Sequence, residues 1–78
     1  SKEYDFGANS YTMEGYPPLR MTGRYEEVAR DGLRIQVRFF DTVFDGRPSD
    51  DRVVWLTFDD CGTRFEMDGM TYSRRNAG

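Results

Sequence analysis

Polar and apolar residues alternate over short stretches of this chain. The stretches end at turn-forming residues: Gly7-Ala8-Asn9, Gly15 to Pro18, Arg30-Asp31-Gly32, Asp45 to Asp51, Asp60-Cys61-Gly62 and Asp68-Gly69. None carries an apolar stripe of 3.6-residue period, and Gly23 with β-branched Val28 argues against a helical turn over 25–29. Alternation in segments rich in Phe, Tyr, Val and Thr predicts half-buried antiparallel strands. These fall near Glu3–Phe6, Tyr11–Glu14, Arg20–Val28, Leu33–Phe44, Arg52–Asp59, Thr63–Met67 and Met70–Arg74. The fold class expected is all-β, an antiparallel meander of about seven short strands forming a curled sheet or small barrel. One domain is expected over 1–78, with residues 1–2 and 76–78 as disordered tails.

Hairpin loop length sets which side chains face one another, so the register can be derived from the turns. A two-residue Asp68-Gly69 turn places Met67 opposite Met70 and Phe65 opposite Tyr72. A second at Cys61-Gly62 places Phe58 opposite Phe65 and Leu56 opposite Met67, with Asp59 facing Arg64. Two independently chosen turns thus give two apolar rows over three strands. A three-residue loop at Arg30-Asp31-Gly32 pairs Glu27 with Ile35, Tyr25 with Val37 and Gly23 with Phe39.

Two strands break simple alternation. Leu33, Ile35, Val37 and Phe39 share one parity while Phe40 and Phe44 have the other, which a bulge or bend near Phe39-Phe40 would resolve. Val53 and Trp55 lie on the face opposite Val54, Leu56 and Phe58, making that strand apolar on both sides. A second layer formed by Tyr16-Pro17-Pro18-Leu19 is expected to cover Trp55 and Val53. If left in solvent, Trp55, Val53 and Tyr16 are the candidate partner contacts.

Composition narrows the chemistry. Leu, Ile, Val and Phe make up 15 of 78 residues, a low share for a folded chain. Five Tyr, four Met and one Trp supply the missing bulk, and the net charge is only −3, so a folded but marginal domain is expected. There is no His, which removes imidazole general bases, Ser-His-Asp and Cys-His catalysis and His-ligated zinc. Cys61 is the single cysteine, so no disulfide can form within the chain. The apolar run Val53 to Leu56 is far too short to span a membrane. The chain begins at Ser1 rather than Met, as a processed mature chain, an excised domain or a tag remnant would.

The Gly23-Arg24-Tyr25 strand, the long strand after it, Trp55 to Phe58 as Trp-x-x-Phe, the Asp-Gly turn and Tyr72-Ser73-Arg74 together resemble the meander of small bacterial lipocalin-like domains. The resemblance covers roughly Tyr11 to Arg75. It implies an up-and-down barrel, typically of eight strands, on a secreted protein or lipoprotein, hence a periplasmic or secreted location. This chain departs from that pattern in having about seven strands and no Trp near its start. Seven short strands leave little interior room once side chains fill it, which argues against an internal ligand cavity.

Carboxylates are the remaining catalytic candidates. Asp59-Asp60, Asp50-Asp51 and Glu26-Glu27 are adjacent pairs that point to opposite faces of a strand and do not converge. Glu27 falls on the apolar face, where desolvation would prepare a general acid, but a strand-end carboxylate reaching water is the simpler reading. Asp41, Asp45, Asp50 and Asp51 gather hard oxygen ligands around one segment without EF-hand spacing, and turn chemistry accounts for them. Walker A, G-x-G-x-x-G and H-E-x-x-H motifs are absent. Arg24, Arg34 and Arg38 share an outer face with Glu26 and Gln36. With a net negative chain this reads as a solvated ladder rather than a phosphate track, so no nucleic acid is expected. Cys61, in a tight turn, is expected to be an exposed incidental thiol, a disulfide-linked dimer being the other outcome.

No catalytic residue, cofactor or metal is therefore expected. The function expected is a non-enzymatic accessory or binding domain of lipocalin-like type, a monomer that takes a protein partner or a small apolar ligand. The other reading is a compact acidic inhibitor, phage-encoded or immunity-type, that blocks a protein partner.

Overall fold

The computed structural model describes residues 2–76. Strands run in the order β1 (Lys2–Phe6), β2 (Ser10–Gly15), β3 (Leu19–Asp31), β4 (Arg34–Phe44), β5 (Arg47–Ser49), β6 (Arg52–Phe58), β7 (Arg64–Met67) and β8 (Met70–Asn76). Among the described residues there is no helix, and hence none long and apolar enough to cross a membrane. β1 begins at Lys2 and β8 reaches Asn76, and the rest of the expected tails, Ser1, Ala77 and Gly78, lies outside the described residues.

β1, β2, β3, β4, β6, β7 and β8 close into a ring, because β3 pairs with β4 and β1 with β8. The consecutive strands pair antiparallel as the meander expected, and the closing β1–β8 pair is parallel. In a seven-strand meander the first and last strands point the same way, so the closing seam must be parallel. Arg75 spans that seam on the outside, 3.3 Å from Asp5 and 3.7 Å from Glu3.

The C-terminal register matches the expected rows, with Met67 opposite Met70, Phe65 opposite Tyr72 and Phe58 opposite Phe65. Asp68-Gly69 is a tight turn with both φ angles positive, 53° and 79°, as type I′ requires. The link from β6 to β7 keeps its register but is a wider loop, Asp59 to Thr63. Asp59 organises it: its carboxylate accepts the N–H of Thr63 at 2.9 Å and that of Arg64 at 3.3 Å.

Between β3 and β4 the expected register was displaced. Asp31 pairs with Arg34 around a two-residue Gly32-Leu33 turn, and Tyr25 faces Phe39, Glu27 faces Val37. Faces are conserved because the displacement is by two residues. The position of the turn displaces the pairing by three residues, and Val28, an extra residue on β3, takes one of them back. The parity change in β4 comes from a bulge at Asp41-Thr42 opposite Gly23, one to two residues beyond the expected site. Asp41 has φ 51°, and after it Thr42 points inward and is buried.

β5 was not expected. Asp45-Gly46 is another turn with both φ positive, 49° and 82°, and β5 and β6 pair with β4 in one continuous register interrupted only at Asp50-Asp51. Pro48 is tolerated because β5 is an edge strand with β4 as its only neighbour among the described residues.

Large side chains fill the barrel. Tyr4, Tyr11, Phe39, Leu56, Phe65 and Met67 are each no more than 2% exposed. Tyr4 lies 5.3 Å from Phe65 and from Tyr72 and 6.0 Å from Tyr11, by ring centroids. Tyr11 passes Gly23, where a β-carbon would stand 2.9 Å from its ring, and its hydroxyl shares a 2.8 Å hydrogen bond with Thr42. Aromatic volume thus replaces the missing aliphatics, and no calyx runs through the middle.

Candidate binding surfaces

Three places outside the core gather charged or apolar side chains: the outer wall of β4 and β6, and the two ends of the barrel.

On the wall, β4 turns Arg34, Gln36 and Arg38 outward against Thr57, Trp55 and Val53 of β6. Trp55 is 37% exposed and Val53 52%. The expected second layer does not cover them. Tyr16 is 80% exposed and stands at the end of β2 beside Lys2, Glu3 and Arg75. The reason is the β2–β3 hairpin, whose turn lies at a barrel end with no contact between β6 and either of its strands. The structure therefore joins Trp55 and Val53 and leaves Tyr16 elsewhere. Partial cover of Trp55 comes from Arg34, its guanidinium carbon 4.6 Å from the ring centroid.

The neighbouring arginines form a solvated ladder. Arg38 contacts Glu26 at 3.3 Å and Asp51 at 2.9 Å, and Arg24 contacts Asp41 at 3.4 Å. Both guanidinium groups also lie over the Phe40 ring, which accounts for the outward Phe. Each pair is exposed and contributes little stability.

At one end, Phe6, Tyr25, Ile35, Leu56 and Phe58 line a cleft of about 190 Å³ with Glu27, Arg30 and Arg74 at its rim. Glu27 is bound to Arg30 at 2.6 Å, with both side chains about half exposed, so it is a rim carboxylate with a partner and not a desolvated acid. Arg74 donates to the Gly62 carbonyl at 3.4 Å and lies against Phe58. The Asp59 loop borders this end together with Cys61, which is exposed. Partial desolvation pushes the Asp59 carboxyl upward, but N–H bonds from Arg64, Thr63 and Gly62 and the Thr63 hydroxyl outweigh it and hold Asp59 below the usual carboxylate range.

At the other end, Lys2 and Arg52 occupy positions of inward parity on β1 and β6, in line with Tyr4 and with Val54 and Leu56. They border a cavity of about 300 Å³ whose floor includes Tyr4, Met13, Met21 and Phe44. Burial raises the Tyr4 hydroxyl to about 12, against the opposing pull of Arg52. Burial likewise raises Tyr11, with Thr42 acting the other way. Sequence reading missed Lys2 and Arg52 as a pair, although the parity that marked their neighbours as inward would have found each of them.

The acidic segment does not converge. Asp41 holds Arg24, Asp45 accepts the Arg20 N–H at 3.2 Å, and Asp51 holds Arg38. Among the described residues no three carboxylate or thiol groups stand close enough to share an ion.

The architecture is that of a small closed all-β barrel with one added edge strand, the general shape of a lipocalin-like barrel. No protein-family model matches the chain, and no curated protein or solved structure matches it significantly.

Proposed function

We propose that this chain is a non-enzymatic binding domain, related in kind to the small lipocalin-like barrels it resembles, that recognises a protein partner through the β4–β6 wall. The observation that carries this reading is Trp55, a large apolar side chain beside Val53 on a wall with no second layer. Tryptophan and arginine are the residues most often central to protein interfaces, and here Arg34 holds the ring in place in advance. The filled interior favours an outer contact over an internal ligand of calyx type. The absence of His and the engagement of Glu27 by Arg30 favour binding over catalysis. A periplasmic or secreted setting follows from the resemblance.

The exposure of Trp55 also favours the second reading, a compact inhibitor, because an exposed aromatic on a small acidic protein suits occlusion of a partner's functional surface.

The experiment places a photo-crosslinking residue at position 55 or, as control, at Thr12 on the opposite wall. A discrete adduct is expected from position 55, competed by the unmodified protein and not by Trp55→Ala. The Trp55→Ala protein should remain folded, with a stability loss below about 1 kcal/mol. Equal adducts from both positions, or full competition by Trp55→Ala, would remove the wall from the interface. Loss of the adduct partner's activity on binding would select the inhibitor.

A further inference from the structure

We infer that the chain associates with a second copy of itself through the bare edge of β6, Val53 of each copy pairing with Trp55 of the other about a two-fold axis at Val54. Hydrogen bonds on both sides fix the backbone parity of this strand. Phe58 donates its N–H to the Leu33 carbonyl at 2.9 Å, toward β4, and Asp59, one residue past β6, donates to the Arg64 carbonyl at 3.0 Å, toward β7. Even-numbered residues of β6 therefore turn their N–H and C=O groups to β4, and odd-numbered ones turn them away. β4 pairs with β6 from Arg52 to Thr57, but β7 pairs only with Thr57 and Phe58. The position that would face Trp55 belongs to Asp68, where the chain has already entered its turn with φ 53°. Among the described residues no strand lies beside the backbone groups that Val53 and Trp55 turn from β4.

The long edges of β5 and β3 are protected and this one is not. β5 carries Pro48, which has no N–H to offer. Beyond Tyr25, β3 has β4 as its only strand partner among the described residues, and there it carries Glu27, Arg30, Asp31 and the bulge at Val28. Charges, bulges and proline are the features that keep edges apart. The β6 edge has a cation at its first position and then Val53, Val54 and Trp55, residues that favour strands.

The occupant follows from the length and symmetry of the edge. Two residues with unpaired backbone groups, two positions apart, satisfy one another when the strand is turned about Val54. Val53 then donates to and accepts from Trp55 of the second copy, and Trp55 does the same with Val53 of that copy. A second β6 begins at Arg52, which falls opposite Leu56, one position short of the place that Glu66 holds opposite Thr57. Ahead of it the chain leaves strand conformation at Asp50-Asp51, so the incoming strand stops where β7 takes over. Side chains agree with this register: Trp55 of each copy lies beside Val53 of the other on the outer face, an aromatic and β-branched pair, and the two Arg52 residues do not face each other. The inference concerns backbone groups and does not rest on the wall interface, which concerns outward side chains.

The test is run under reducing conditions, which exclude a Cys61 disulfide. Sedimentation should show monomer at low micromolar concentration and dimer rising toward millimolar, as a short interface implies. Over that range the Val53 and Trp55 amides should gain about tenfold protection from hydrogen exchange, while those of Val54 and Leu56, turned to β4, stay protected throughout. In a mixture of isotope-labelled and unlabelled chains, a filtered contact between the two Val54 α-protons is expected, because that pair is of the closer, non-hydrogen-bonded kind. Val53→Pro removes only the donor turned from β4, as an edge-strand proline does, and should fold and stay monomeric. Trp55→Ala, which should abolish the wall adduct, should weaken the dimer by no more than about fivefold, so the two proposals stand or fall separately. A monomer up to millimolar concentration, a folded Val53→Pro protein that still pairs, or concentration-dependent protection on β3 instead of β6 would overturn the inference. Protection of both amides by the peptide Thr-Val-Thr-Val, in a chain that stays monomeric by itself, would overturn it in favour of a foreign strand.

Discussion

At one end of the barrel Arg30 is neutralised by Glu27 at 2.6 Å and Arg74 is turned toward the Gly62 carbonyl; at the other, Lys2 and Arg52 lie against the rings of Tyr72 and Phe39, and Arg52 also acts on the Tyr4 hydroxyl. Both ends stand on the same aromatic floor, with Tyr4 and Phe65 in its middle. Both place charged residues at inward positions where the strands run out into water. The difference is what each charge meets there. Arg30 and Glu27 lie on one strand, and the bulge at Val28 between them puts both on the inward face, whereas Lys2 and Arg52 begin their strands and Asp50, which lines their cavity, is paired with neither. One rim thus holds a closed ion pair, and at the other the cations and Asp50 line a shared cavity without pairing.

The largest test of the shared floor is Phe65→Ala, expected to cost about 3–5 kcal/mol, enough to unfold much of so small a domain. Arg64→Ala, its outward neighbour, should cost less than about 1 kcal/mol. Equal losses in chemical denaturation would show that the two residues do not occupy opposite faces.

Titration should separate the floor from the Asp59 loop on opposite sides of neutrality. Burial raises Tyr4 from 10.0 to about 12 in the folded chain, so its contribution is complete below pH 10 and is lost as pH rises toward 12. The loss should be on the order of 2 kcal/mol, followed by thermal unfolding in alkaline buffers, and Tyr4→Phe should flatten this slope. Tyr4 ionising near its ordinary value of 10.0 in a tyrosinate absorbance titration would remove the burial on which the slope depends.

Gly23→Ala probes the bulge. The new methyl would meet the Tyr11 ring at 2.9 Å and the Phe40 carbonyl at 3.0 Å. Crowding of this kind costs about 1–3 kcal/mol, and it should also break the Tyr11–Thr42 hydrogen bond. An unchanged melting temperature would mean that the β4 bulge relaxes freely.

The smallest effect belongs to Asp59, whose folded carboxyl is held below the usual range. Its contribution is present above the unfolded value of 3.8 and is lost as pH falls through the lower folded one. Asp59→Asn should reduce the acid sensitivity of unfolding without altering the alkaline limb. A change on the alkaline side instead would place the loop's stability on some other group.

Much of the barrel was legible because alternation and turn chemistry are local. The rows through Phe58, Phe65 and Tyr72 followed from two turns, and the outward arginine ladder from parity. The β3–β4 register was displaced because the turn falls at Gly32-Leu33 and not at Arg30-Asp31-Gly32, a shift of three that the bulge at Val28 reduces to two. β5 went unread because Pro48 and its acidic flanks hid an Asp-Gly hairpin signal at Asp45-Gly46.

The amino-acid order by itself determined that the chain forms short strands, which faces of most of them are apolar, and that no imidazole chemistry is available. Those properties depend on residues within a few positions of one another. Only the tertiary structure decided that seven strands close through a parallel seam, that Trp55 stays in solvent, and that Arg30 finds a carboxylate while Lys2 and Arg52 share a cavity. Closure and cover depend on which strand arrives beside which, and no spacing along the chain encodes a neighbour up to 70 residues away, as Asp5 and Arg75 are across the seam.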